Sequence, residues 1–180
     1  MLNDSSLKVP KSLAAVTLWV HPEGRVQGSM FVNLPGPDST RAEQPWDVIN
    51  EPPDFIAIKR EDPEEVRFYN KSSIVRIQYW DGISSPLDEG RPLPCQITMM
   101  DGSLINGKIC KAAPIERSRL YDYMNETGER FLKLRPDSGG EVLLVNKSYV
   151  VYISTVEARE RASDASESKT ASPCPLAPVA

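Results

Sequence analysis

Apolar and polar positions alternate in short blocks along this chain, and the blocks recur once in the same order. Residues 16–20 (Val-Thr-Leu-Trp-Val) and 97–100 (Ile-Thr-Met-Met) are apolar or β-branched throughout. Each is followed by a turn, Pro22-Glu23-Gly24 or Asp101-Gly102, and then by a second segment, 25–28 or 104–107. Such a step between apolar runs predicts a hairpin, because Gly tolerates the positive φ that a tight turn needs. Residues 44–51 and 119–126 then place apolar side chains at helical spacing, Trp46 with Ile49 and Tyr121 with Met124, which predicts one or two helical turns. Pro52-Pro53 ends the first and Thr127-Gly128 the second. A third strand is expected over 55–59 and 131–135. Two more are expected over 65–78 and 141–154, hinged at Asn70-Lys71-Ser72 and Asn146-Lys147-Ser148. Asn suits such a corner because it tolerates left-handed backbone angles and its amide satisfies nearby backbone groups.

Laying 46–78 over 121–154 makes the recurrence explicit. Asp47 falls on Asp122 and Asn50 on Asn125; one residue of slack then brings Phe55 onto Phe131, Val66 onto Val142 and Phe68 onto Leu144. The Asn-Lys-Ser corners coincide, and Ile74, Val75 and Ile77 meet Val150, Val151 and Ile153. The chain therefore reads as a tandem duplication of one strand-rich unit. A unit of about sixty residues buries only ~60% of its unfolded surface and is marginal alone, so two copies packed together would relieve a real deficit. The expected layout is a flexible N-terminus over 1–12, one repeat over 13–80, a Pro/Gly-rich linker over 81–94, the second repeat over 95–156 and a disordered tail over 157–180. A loop over 35–43 belongs to the first copy only. The tail is charged, then Ser/Ala-rich, and carries too little apolar content to fold.

Composition narrows the function classes. Of 180 residues, 26% are charged and 40% hydrophobic, and the formal charge is -4, which argues against a strongly electropositive nucleic-acid surface. Neither a signal-peptide pattern nor a bilayer-length apolar run is present, so a cytoplasmic location with no membrane partner is expected. Three scattered cysteines, Cys95, Cys110 and Cys174, make no disulfide framework, and Cys95 and Cys110 read as buried reduced thiols. The single histidine, His21, sits at a predicted turn, leaving little for triads, His-rich metal sites or acid/base pairs. No phosphate-cradling Gly-rich loop, Cys-x-x-Cys or nucleophile elbow occurs.

The hairpin ITMMDGSLINGKI and the closing segment EVLLVNKSYVVYI resemble the opening and closing segments of the Sm-like family, as do Asp122, Met124 and Asn125 its first motif. The resemblance covers roughly 95–154 and, more loosely, 14–79. It implies a mainly β protein of two tandem five-stranded SH3/Sm-like barrels, each with a short helix between its second and third strands. The family reads RNA with an Arg-Gly pair at the corner between strands four and five, where this chain has Asn70-Lys71 and Asn146-Lys147, so uridine recognition does not carry over. The Asp-x-x-Asn helix with the Asn-Lys-Ser corner also resembles an uncharacterised group of bacterial proteins, which implies no activity.

Two sets of polar residues stand out. Asp47 with Asn50, and Asp122 with Asn125, lie three apart on one helical face and could be cation or nucleotide ligands, while Asn70, Lys71, Asn146 and Lys147 are the repeated polar positions of the corners. Recurrence in both copies favours a structural role, with the Asn amides tied to backbone and the Asp residues near a helix start. Arg117, Arg119, Arg130, Lys133 and Arg135 form a candidate basic surface. With no catalytic constellation, no metal set and no cofactor motif, the expectation is a non-catalytic interaction module that binds a protein partner or itself through sheet edges or faces. An Sm-like RNA binder is the alternative, disfavoured by the net charge, and DNA is not expected.

Overall fold

Backbone pairing begins where the apolar blocks predict it. In the computed structural model, which describes residues 11–35, 42–81, 92–109, 120–137 and 140–155, strands β1 (Lys11–Val20) and β2 (Gly24–Asn33) form an antiparallel hairpin from Lys11↔Asn33 to Val20↔Gly24. The matching hairpin of the second half joins β6 (Leu93–Met99) to β7 (Leu104–Ile109). Gly24 and Gly102 take φ of +92° and +80° at the two turns. Helix α1 (Pro45–Asn50) follows β2, with proline in its first turn, where the missing N–H costs nothing. Helix α2 (Leu120–Met124) follows β7. The remaining strands are β3 (Phe55–Glu61), β4 (Glu64–Asn70) and β5 (Ile74–Trp80) in the first half, and β8 (Phe131–Pro136), β9 (Glu141–Asn146) and β10 (Val150–Thr155) in the second. A single 3-10 turn, Lys71–Ser73 or Lys147–Tyr149, makes each corner before the last strand.

The mainly β expectation holds, but the ten strands belong to one open antiparallel sheet and not to two separate ones. Its order is β10-β6-β7-β8-β9-β5-β1-β2-β3-β4. Each half contributes a block in which its fifth strand precedes its first, second, third and fourth. The blocks meet where β5 pairs with β9, from Arg76↔Val145 to Trp80↔Glu141. Even the irregularities repeat: the pairing slips at Trp19/Val20 between β1 and β5, and at Val150/Tyr152 between β10 and β6. The first strand begins at Lys11, two residues before the expected repeat boundary. Most of the expected linker (82–91), the tail, the tip of the first-copy loop and Cys110, Cys174, Arg117 and Arg119 lie outside the described residues.

Two apolar clusters form the core. The first gathers Leu18, Met30, Ile58, Ile74 and Ile77 of the first half together with Phe131, Val142 and Leu144 of the second. The second gathers Cys95, Ile97, Met99, Ile105, Leu134 and Val145. Burial pushes the Cys95 thiol from an ordinary 9.0 up to about 11, because a thiolate there would lose its water. Strand β9 feeds both clusters. Val142 and Leu144 enter the first, while Leu143 and Val145 pack on the second, as the two-residue side-chain period dictates. Within each block one glycine permits a close strand crossing. A Cβ on Gly28 would lie 2.7 Å from the Lys59 carbonyl oxygen, and one on Gly107 would lie 2.5 Å from that of Arg135. Among the described residues no helix is long and apolar enough to cross a membrane.

Candidate interaction edges

The repeated polar residues are organised around the corner and the seam between blocks. Asn70 Oδ1 accepts a hydrogen bond from the Ser72 amide at 2.9 Å, and Asn146 Oδ1 accepts from the Ser148 amide at 3.0 Å. The following lysine turns back over the helix. Lys71 Nζ donates to the carbonyls of Val48 (3.1 Å) and Glu51 (2.7 Å); Lys147 Nζ donates to those of Tyr123 (3.2 Å) and Glu126 (2.9 Å). A helix leaves its last carbonyls unpaired, so an ammonium there satisfies them and complements the dipole. Burial of Lys71 disfavours its charged form and lowers its pKa. Asp47 accepts from the Gln44 amide at 2.9 Å at the start of α1; Asp122 sits exposed in the first turn of α2.

Two of these residues also stitch the two halves together. Asn146, with no exposed surface, donates through Nδ2 to the carbonyls of Ile74 (2.8 Å) and Lys71 (3.3 Å) in the other half. Asn50 Oδ1 accepts from the amides of Arg130 and Phe131, both at 3.1 Å. The same amide donates through Nδ2 to Trp46 O, as Asn125 Nδ2 donates to Tyr121 O at 2.8 Å. The described members of the expected basic surface are absorbed into this seam. Arg130 pairs with Asp54 at 3.3 Å, while Arg135 and Lys133 reach Asp81 at 3.0 and 3.7 Å. The Asp81 side chain is only 2% exposed. Pattern reading missed Asp81 altogether, since it lies alone just past β5 and its partners are far off in sequence, Gln44 at 37 positions and Lys133 and Arg135 at more than fifty.

At the ends of the sheet the equivalent strands are bare. Strand β4, the counterpart of β9, pairs only with β3, and β10, the counterpart of β5, pairs only with β6. The apolar side chains that fill the seam in one copy are therefore exposed in the other. Phe131, Val142 and Leu144 have no exposed surface, whereas Phe55, Val66 and Phe68 are 56%, 47% and 71% exposed. On the far edge Val151 and Tyr152 of β10 are 59% and 56% exposed, and Tyr121 of α2 is 75% exposed. Charge guards part of the β4 edge: Arg67 binds Glu23 at 2.8 Å and Glu65 at 2.6 Å.

A cleft of about 730 Å³ runs beside Gly28 and mixes both signs of charge, lined by Arg25 and Arg60 as well as Asp62 and Glu141. A smaller hollow of about 330 Å³ at the seam touches Asn50 and Lys71. Neither brings Asp122 or Asn125 together with its first-half counterpart. Among the described residues no group of three or more His, Cys, Asp or Glu side chains could hold a metal ion. No family model matches the chain, and searches of curated proteins and of solved structures likewise return no match.

Proposed function

We propose that this chain is a non-catalytic interaction module that binds protein, a partner or a further copy of itself, through the edges of two duplicated small barrels. Two observations support a rolled, barrel-like reading of each five-strand block: an apolar cluster is centred on each, and its second strand crosses the third closely at a glycine. One observation carries the functional reading. Phe55 of β3 and Val66 and Phe68 of the edge strand β4 stand exposed, whereas their copies Phe131, Val142 and Leu144 have no exposed surface against the other block. An apolar, hydrogen-bond-ready edge of this kind is a template for strand addition. The RNA alternative rests on the Arg/Lys cluster, and Arg130, Lys133 and Arg135 spend their charge on Asp54 and Asp81.

Capture on immobilised chain tests the reading. The wild-type chain should retain a protein, whether another copy or a different polypeptide, and Val66→Glu with Phe68→Glu should abolish that retention while far-UV circular dichroism stays unchanged. Equal retention by the edge variant, or none by either, counts against the proposal. An oligo-U mobility shift that weakens steeply with salt would favour the RNA alternative instead.

A further inference from the structure

The seam inside the chain is a template for what should occupy the two bare edges. It joins the fifth strand of one copy to the fourth strand of the other, and the strands left over are a fourth strand (β4) and a fifth strand (β10). These lie at opposite ends of the sheet, nine strand steps of about 4.8 Å apart along it, so they are suited to meet on different molecules. We propose that β10 of one molecule pairs antiparallel with β4 of the next, head to tail, repeating the β5·β9 seam between chains. The inference rests on the interaction-module reading above and names its partner: a second copy of this chain.

Register follows from the duplication. Ile77 pairs with Leu144 and Arg76 with Val145 inside the chain; the corresponding positions place Ile153 opposite Phe68 and Tyr152 opposite Tyr69. Polar anchors transfer as well. Asn146 reaches the carbonyls of Lys71 and Ile74 across the internal seam, so Asn70 would reach those of Lys147 and Val150 in the neighbour. Asn50 receives the amides of Arg130 and Phe131, so Asn125 would receive those of Asp54 and Phe55. The Asp54–Arg130 ion pair recurs with its members exchanged between the two sides, which keeps the charges complementary. Phe55, Val66 and Phe68 would then enter the neighbour's second block as Phe131, Val142 and Leu144 enter the first.

A head-to-tail contact is heterologous, so it propagates into a closed ring or an open filament and does not stop at a two-fold dimer. That property gives a specific test. Light scattering after size exclusion is applied to the full chain, to a β4-edge variant (Val66→Glu with Phe68→Glu), to a β10-edge variant (Val151→Glu with Tyr152→Glu) and to an equimolar mixture of the two. The altered side chains are about half exposed or more, and circular dichroism with thermal melting verifies that each variant folds. The expected pattern is a wild-type assembly of several chains, two monomeric variants, and a mixture that forms a complex of two chains and goes no further. Each variant retains one competent edge, and only the mixture supplies both kinds. Either variant forming a dimer by itself would mean that an edge pairs with its own kind and would overturn the proposal, as would a monomeric wild type. If the wild type is monomeric but captures a different protein through the edge, this inference falls and the module reading stands; if it captures nothing, both fall.

Discussion

The two corner asparagines share a local geometry and differ in what lies beyond it. Each Oδ1 caps its 3-10 turn, but only Asn146 is fully buried and also satisfies two carbonyls of the other half. Removing it strands polar groups away from water, whereas removing Asn70 in an isolated chain loses only the cap. Asn146→Ala should therefore cost about 2–3 kcal/mol and Asn70→Ala about 1 kcal/mol, read as the shift in urea midpoint at constant slope. Equal losses would mean that the seam contributes nothing through this residue. The sequence made both asparagines visible as recurring corner residues, because the turn that needs them is local. Which one spans the seam was not legible, since that depends on a strand arriving from seventy positions away. The same holds for Lys71 and Lys147: their recurrence could be read, but their grip on helix-end carbonyls is a tertiary fact.

Among the elements, β2 and β7 are governed by the glycines that let them cross their neighbours. Backbone oxygen as well as the side chains of Ile58 and Leu134 stands where a methyl group would go at Gly28 and Gly107, so both strands would have to move. Gly28→Ala and Gly107→Ala should each destabilise by about 3 kcal/mol in chemical denaturation, at the upper end for overpacking, despite alanine's lower conformational freedom when unfolded. A neutral or stabilising result would show that the crossing is looser than described. Strand positions, both hairpins and both corners were readable because the two-residue period and the turn chemistry are local signals. The unequal fates of β4 and β9 were also written in the chain but passed over. EEVRFYN alternates as a half-exposed strand does, while EVLLVN runs nearly continuous as a strand covered on both faces does, and Arg67 against Leu143 is the telling difference. Treating the copies as equivalent hid it.

For the molecule as a whole, the joining of two blocks into one sheet has a thermodynamic signature. Phe131, Val142 and Leu144 belong to the apolar cluster of the other half, so neither half can unfold without disturbing both cores. Calorimetry should show one transition whose calorimetric and van't Hoff enthalpies agree, and Asp81→Ala should cost on the order of 3 kcal/mol by leaving Arg135 and Lys133 without their buried counter-charge. Two resolved transitions would show instead that the blocks fold independently. The duplication was evident from matched residues, but the continuity of the sheet was not, because nothing in a repeat says whether its copies stand apart or join. The leucine at 143 carries a last implication. Its strand meets its mate by virtue of covalent tethering, at an effective concentration that no free molecule matches, and so it can be greasy on both faces without inviting strangers. The strand bearing Arg67 has no such chaperone. If β4 pairs between chains as proposed, grafting leucine there would trade selectivity for stickiness and open that edge to any extended polypeptide.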